Sequence, residues 1–152
     1  MPGESIQLPD LAAMESFGRA IGSQLRAGDV VALTGGLGAG KTTLARAIIA
    51  AMGHYGEVPS PSFAIIEVYD PPLVRLPLVH ADFYRLSDPR EAQEIGLDDY
   101  RQGAALIAEW PEHAGGFAHE HGCLSIALEI AEEGRQAIVA GGKDWHGRQP
   151  WR

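Results

Sequence analysis

A three-layer α/β domain on a mixed, partly antiparallel sheet is the fold that this chain of 152 residues predicts. Three observations carry that reading. From Ser5 to Ala108, short apolar runs suited to buried strands alternate with segments of helical periodicity. One junction reads strand, glycine-rich loop, helix: Asp29-Val30-Val31-Ala32-Leu33-Thr34, then GGLGAGKTT at 35–43, then LARAIIAAM at 44–52. After Gly96 helical segments are few while apolar runs continue, so the later part of the sheet is expected to be antiparallel.

The elements follow in order. Ser5 to Leu8 reads as a short first strand. Asp10 caps a helix running to about Arg26, in which Met14, Phe17, Ile21 and Leu25 recur at helical spacing as a core stripe and Gly28 supplies the stop. Asp29 to Thr34 is a buried strand, and the helix from Leu44 to Met52 ends at Gly53. HYGEVPSPSFA at 54–64 is a loop with two prolines. Ile65 to Tyr69 is a strand, Asp70-Pro71-Pro72 a turn, and Leu76 to Asp82 another strand.

Asp88-Pro89-Arg90-Glu91 starts a helix, with Asp88 as N-cap, proline at the first helical position and glutamate at N3. It ends near Gly96, and Leu97 to Gln102 adds a further turn. Ala104 to Ala108 is continuously apolar, as a central strand requires. Leu124 to Ile130 and Arg135 to Ala140 form a terminal hairpin around Glu132-Glu133-Gly134. Residues 1–141 are thus one domain, and 142–152, polar and glycine-rich, a flexible C-terminal tail.

Bulk properties bound the function. Composition is 45% apolar, ordinary for a soluble globule, and no apolar run approaches the ~18 residues of a membrane span. MPGESIQLPD has neither the basic region nor the apolar core of a signal peptide. The one cysteine, Cys123, excludes an internal disulfide and suits a reducing cytosol, so a cytoplasmic location is expected. A net charge of −8 makes an autonomous nucleic-acid binder a poor reading, because phosphate contacts need Lys and Arg. If RNA is involved, a partner holds it.

The glycine-rich loop carries the chemistry. Gly35, four residues, Gly40, Lys41 and Thr42 complete G-x-x-x-x-G-K-[ST]. The backbone must curl until its N–H groups point inward at phosphate oxygens, and side chains would block the curl or the ligand. Lys41 brings a mobile positive charge to the β- and γ-phosphates, Thr42 offers a hydroxyl to Mg²⁺, and the helix that follows directs its positive dipole end at the same place. A nucleotide site is therefore expected.

Such a loop needs a carboxylate at the tip of a nearby strand, to hold the metal and position an attacking water. Two strands end in one: LVHAD at 78–82 in Asp82, and AALIAE at 104–109 in Glu109. In open α/β sheets ligands sit beyond the carboxyl ends of strands, which suits both. Trp110 either walls the nucleotide pocket or packs in the core. His80 shares a strand face with Asp82, and a buried histidine bonded to backbone is its plain alternative. Ser62, in Ser60-Pro61-Ser62-Phe63, either senses the γ-phosphate through Mg²⁺ or sits in a polar turn. His119-Glu120-His121 is read as loop, not as a metal pair.

Five stretches in order, GGLGAGKTT at 35–43, SPSF at 60–63, HADFYRL at 80–86, GLDDY at 96–100 and EWPE at 109–112, make the chain resemble the TsaE (YjeE) family of bacterial P-loop ATPases up to about Glu112. The resemblance implies a P-loop NTPase-like domain that binds and hydrolyses ATP with Mg²⁺. Its part is in making threonylcarbamoyladenosine beside the anticodon of tRNA. Partner subunits, TsaD with TsaB, would make the transfer, and tRNA would be engaged only indirectly.

It further implies that Gly36, Gly38, Ala39 and Gly40 cradle the phosphates, with Lys41, Thr42 and Thr43 beside them. Lys41 would contact the β/γ-phosphates and Thr42 would ligate Mg²⁺. Asp82 would match the aspartate of the family's HxDxYR, near the metal and attacking water. Glu109 and Trp110 would match its EW pair, with Glu109 on the metal side. Ser62 stands where the family usually has threonine; the hydroxyl survives and the stiffness of a β-branch is lost.

Rival readings are set apart by specific features. Guanine readers use N-K-x-D, and this chain contains no asparagine. A small-molecule kinase would need an acceptor pocket and an arginine-bearing lid, for which Arg85, Arg90 and Arg101 in the 84–102 segment are the available charges. A nucleotide-gated binding module with incidental hydrolysis is the third reading. With no arginine finger placed by motif, hydrolysis by the chain alone is expected to be slow and accelerated by partners.

Overall fold

The computed structural model describes residues 3–58 and 65–151. Among them a seven-stranded sheet runs in the order β1-β7-β6-β2-β5-β4-β3. Its strands are β1 (Glu4–Leu8), β2 (Val30–Thr34), β3 (Ile66–Tyr69), β4 (Leu78–Asp82), β5 (Ala105–Glu109), β6 (Cys123–Ile130) and β7 (Arg135–Gly141). The helices are α1 (Leu11–Gly22), α2 (Lys41–Ala51), α3 (Arg90–Glu94) and α4 (Leu97–Arg101). The centre, β6-β2-β5-β4, is parallel. β3 on β4, β7 on β6 and β1 on β7 are antiparallel. Antiparallel pairing thus occupies both flanks of the sheet, not only its later part.

Alternation along the central strands creates two cores. Val31 and Leu33 of β2, Ala105 and Ile107 of β5 and Leu78 of β4 face α1 and α2. Val30, Ala32, Leu106, Ala108, Val79 and Ala81 face the opposite layer, with Ala92, Leu97 and Phe117. Helix, sheet and helix layers follow from strands that are apolar on both faces. α1 and α2 approach closely because Gly18 and Gly22 present no side chain to Ala47 and Ala51.

Element boundaries differ from the sequence reading in local ways. α1 stops at Gly22, with Asp10 Oδ1 accepting the Ala13 N–H at 2.8 Å, and Leu25 reaches the core from the following turn. α3 begins at Arg90, not Pro89. Asp88 still accepts the Arg90 N–H at 2.9 Å, while Glu91 takes the Ser87 hydroxyl at 2.7 Å.

The tail differs more. The segment expected to be flexible, 142–152, packs on the domain through its described residues: a short 3-10 turn at Lys143–Trp145 buries Trp145, and Trp151 sets its ring edge-on to Phe17. Arg148 makes a two-pronged ion pair with Asp29, both contacts 2.8 Å, and lies over the Trp145 ring at 4.0 Å. Glycines and charges suggested mobility. A buried ion pair between residues 119 apart in sequence, together with two tryptophans, supplies the order. No helix among the described residues is long and apolar enough to cross a membrane.

Candidate functional site

The glycine-rich loop leaves β2 and turns into α2 at the carboxyl edge of the parallel strands. Gly35 is held at φ 142°, and a Cβ there would stand 2.6 Å from the Leu128 carbonyl oxygen of β6. Only glycine lets the loop begin its curl so close to the neighbouring strand. Ala39 is buried and donates its N–H to Gly36 at 3.2 Å, which tightens the turn. Lys41 opens α2 and folds back, donating to the carbonyls of Gly35 at 2.6 Å and Gly36 at 2.9 Å.

Register places the two acids side by side. Asp82 of β4 and Glu109 of β5 are direct partners on parallel strands, so their side chains leave the same face at the same level. Glu109 is buried, and both its oxygens are held. Thr42 donates its hydroxyl to Oε1 at 3.0 Å, and Oε2 lies 2.7 Å from His80 Nε2. Asp82 is half-buried and accepts the Tyr84 N–H at 3.0 Å.

His80 is fully buried and faces the Glu109 side chain, not the backbone of its plain reading. Its Nδ1 has no hydrogen-bond partner among the described residues. Since Glu109 carries only acceptors when ionised, the Nε2–H tautomer satisfies the pair.

Aromatic rings close one wall. Trp110 takes left-handed backbone angles, φ 54° and ψ 51°, a conformation unusual for a bulky residue and more so before a proline. The turn swings its indole under Lys41, whose Nζ stands 4.6 Å from the ring centroid. Tyr84 packs on Trp110 at 5.0 Å, and His113 on both, its Nδ1 3.0 Å from the Tyr84 carbonyl. Of the two roles open to Trp110, the pocket wall is the one its half-buried position fits, and it also packs against the core on its other side.

These groups surround a cavity of about 530 Å³. Lys41, Thr42, Thr43, Asp82, Arg85, Glu109 and Arg135 line it. Burial lowers the Lys41 ammonium pKa from its usual range, opposed by Glu109, Asp82 and Glu112. The donor set fits a hard divalent cation: a hydroxyl and a carboxylate already converge at 3.0 Å, with a second carboxylate on the next strand tip. Among the described residues no three His, Cys, Asp or Glu side chains gather as a closed metal cage. Mg²⁺ needs none, as it commonly takes one or two carboxylates and completes its shell with water and phosphate.

Gly38, Gly40, Lys41, Thr42, Thr43, Asp82, Glu109 and Trp110 therefore line one opening, while Gly36 and the buried Ala39 belong to the same loop, joined by the Ala39 N–H to the Gly36 carbonyl. Ser62 falls outside the described residues. Two of the three arginines considered for a kinase lid are engaged elsewhere: Arg90 with Asp88 at 2.9 Å, and Arg101 with Glu120 at 2.6 Å. The same contact occupies the central acid of His119-Glu120-His121. Sequence reasoning missed Arg135 and His113. Neither lies in a motif; the fold brings Arg135 to the loop and His113 onto the Tyr84 and Trp110 rings.

Comparison with known proteins places this geometry in a group. A family model described as Threonylcarbamoyl adenosine biosynthesis protein TsaE matches residues 8–138. The chain is 43% identical over 102 residues to the tRNA threonylcarbamoyladenosine biosynthesis protein TsaE of Mycobacterium leprae, covering 62% of this chain and 63% of that protein. That match spans just under two thirds of the relative's length. Against the protein of the same name from Haemophilus influenzae the chain is 35% identical over 134 residues, 84% of this chain and 83% of the relative. The crystal structure of Bacillus subtilis YdiB superposes with a TM-score of 0.73 at 25% identity, covering 97% of this chain and 93% of that one.

Proposed function

The chain belongs to the TsaE family of threonylcarbamoyl adenosine biosynthesis proteins, and from that premise we propose that it serves tRNA modification as a Mg²⁺-dependent ATPase. The observation that carries the reading is the convergence of Thr42 and Glu109, 3.0 Å apart, at the root of the P-loop cavity. A hydroxyl from the loop helix and a carboxylate from the neighbouring strand tip are what a nucleotide-bound divalent cation requires.

Lys41 would exchange two carbonyl oxygens for the β- and γ-phosphates, a stronger partner for a buried ammonium. Thr42 and Glu109, with Asp82 beside them, would hold Mg²⁺, which supplies charge withdrawal from the phosphate oxygens. Asp82, less buried than Glu109, would orient an attacking water. The Lys41 charge and the α2 N-terminus would receive the negative charge that develops on the transferred phosphoryl group. Next to Thr43, a smaller cavity of about 210 Å³, with Leu8, Leu11 and Met14 in its wall, would take the base.

Partner subunits of the TsaD and TsaB kind would carry out the transfer in the cytoplasm, and tRNA would reach this acidic chain only through them. Tyr84, a large side chain about half exposed in the cavity lining, supports a contact surface there. The test is reconstitution: purified chain, TsaD, TsaB, tRNA and ATP, with modified nucleoside counted per complex. Many turnovers with the intact chain and loss of multiple turnover with Lys41→Ala are expected. Multiple turnover sustained by Lys41→Ala would favour a nucleotide-gated module instead.

A further inference from the structure

Arg135 opens β7, opposite Leu8 of β1 and Ile130 of β6, so its backbone is fixed from both sides. Gly134 before it takes a left-handed φ of 71°, and any Cβ there would run into the carbonyls of Leu8 and Pro9. From this rigid base the guanidinium reaches across the sheet edge to the P-loop. Nε donates to the Ala39 carbonyl at 3.1 Å and Nη2 to the Gly38 carbonyl at 3.0 Å, while Nη1 stays on Gly134 at 3.0 Å.

Two consequences follow. In a trans peptide the carbonyl and the next N–H point in opposite directions, so drawing the Ala39 carbonyl toward Arg135 turns the Gly40 N–H away from it. Gly40 lines the cavity, as does Arg135 itself. Secondly, all three contacts of the guanidinium are to neutral carbonyls, and among the described residues no carboxylate pairs with it. Its positive charge therefore lines a cavity that Lys41 and Arg85 also line, together with the acids Asp82 and Glu109. A fork with fixed geometry and no counter-ion suits a polyphosphate oxygen.

We propose that Arg135 is a further nucleotide-binding residue, which orients the P-loop peptide at Ala39–Gly40 and adds its positive charge to that of Lys41 at the polyphosphate. The proposal rests on the ATP reading above and deepens it. Because the charge acts on the outer phosphates, the effect of removing it grows with phosphate number.

The test is calorimetric titration of the full chain with ATP, ADP and AMP in the presence of Mg²⁺, comparing wild type, Arg135→Gln and Arg135→Lys. Arg135→Gln is expected to weaken ATP by about tenfold and AMP by less than about twofold. Arg135→Lys, which keeps the charge and loses the fork, should fall between. Equal weakening of all three ligands, or none, overturns the proposal. If Arg135→Gln does not fold, Arg135→Lys decides by the same pattern: a loss concentrated in ATP supports the assignment, and an equal loss for AMP overturns it. Wild-type protein that binds none of the three would sink the underlying ATPase reading, and that control separates the two failures.

Discussion

His80 and Glu109, 29 residues apart in sequence and on neighbouring strands, meet at 2.7 Å in a site where both side chains are almost wholly buried. The contact fixes one oxygen of Glu109 and leaves the other to face Thr42. Such a partner behind a metal-side carboxylate fixes its orientation, and removing it commonly costs about 10–100-fold in metal affinity or activity. His80→Phe, which keeps the bulk and deletes the donor, is therefore expected to lower ATP turnover by about that factor while ATP affinity changes little. His80→Gln, which restores an N–H, should recover part of it. Steady-state kinetics with separate nucleotide titration checks the split between turnover and binding.

Trp110 reports on the ammonium beside it. Lys41 Nζ stands 4.6 Å from the indole centroid, and binding phosphate should draw it away. The emission of Trp110 is expected to change on adding ATP. A Trp145→Phe, Trp151→Phe protein should keep the change, and Trp110→Phe should lose it. Fluorescence titration of the three proteins checks this.

The tail is expected to be part of the fold's stability. Arg148 and Asp29 are about 95% buried and joined through two 2.8 Å contacts, with the Arg26 N–H also on Asp29. Removing one partner leaves a buried charge unpaired, which costs about 3–5 kcal/mol. Arg148→Met should shift the urea midpoint accordingly, and adding Asp29→Asn should recover part of the loss.

Acid stability should depend on Glu120. Hydrogen bonding from Arg101 holds its carboxyl below the usual glutamate range, against the opposing effect of burial. A carboxylate with a depressed folded pKa contributes stability that is fully present above the unfolded value of about 4.5 and is lost as pH falls through the folded one. Glu120→Gln is expected to be less stable than wild type near neutrality and to converge with it in acid. Urea unfolding at a series of pH values between about 2 and 7 checks the sign.

Much of the fold was legible because it is written in local pattern. Val30 to Thr34, Leu78 to Asp82 and Ala105 to Glu109 announce buried strands by continuous apolarity, and strand-tip acids beside a P-loop announce a site. What escaped depends on pairs far apart in the chain. Arg135 binds a loop 96 residues earlier, and Arg148 pairs with an aspartate 119 residues away. No local pattern marks either arginine. The role of Trp110 is not legible for a different reason: its left-handed backbone, which sets where the ring points, goes against the preference of its own sequence.

The account depends on Thr42 and Glu109 serving a metal-assisted hydrolysis. The direct measurement is phosphate release from ATP by the purified chain, with Mg²⁺ and with a chelator, for wild type and Glu109→Gln. Slow release that requires Mg²⁺ and vanishes in Glu109→Gln, while that variant still binds ATP, is the predicted result. Release that is indifferent to the metal, or undiminished in Glu109→Gln, would contradict it.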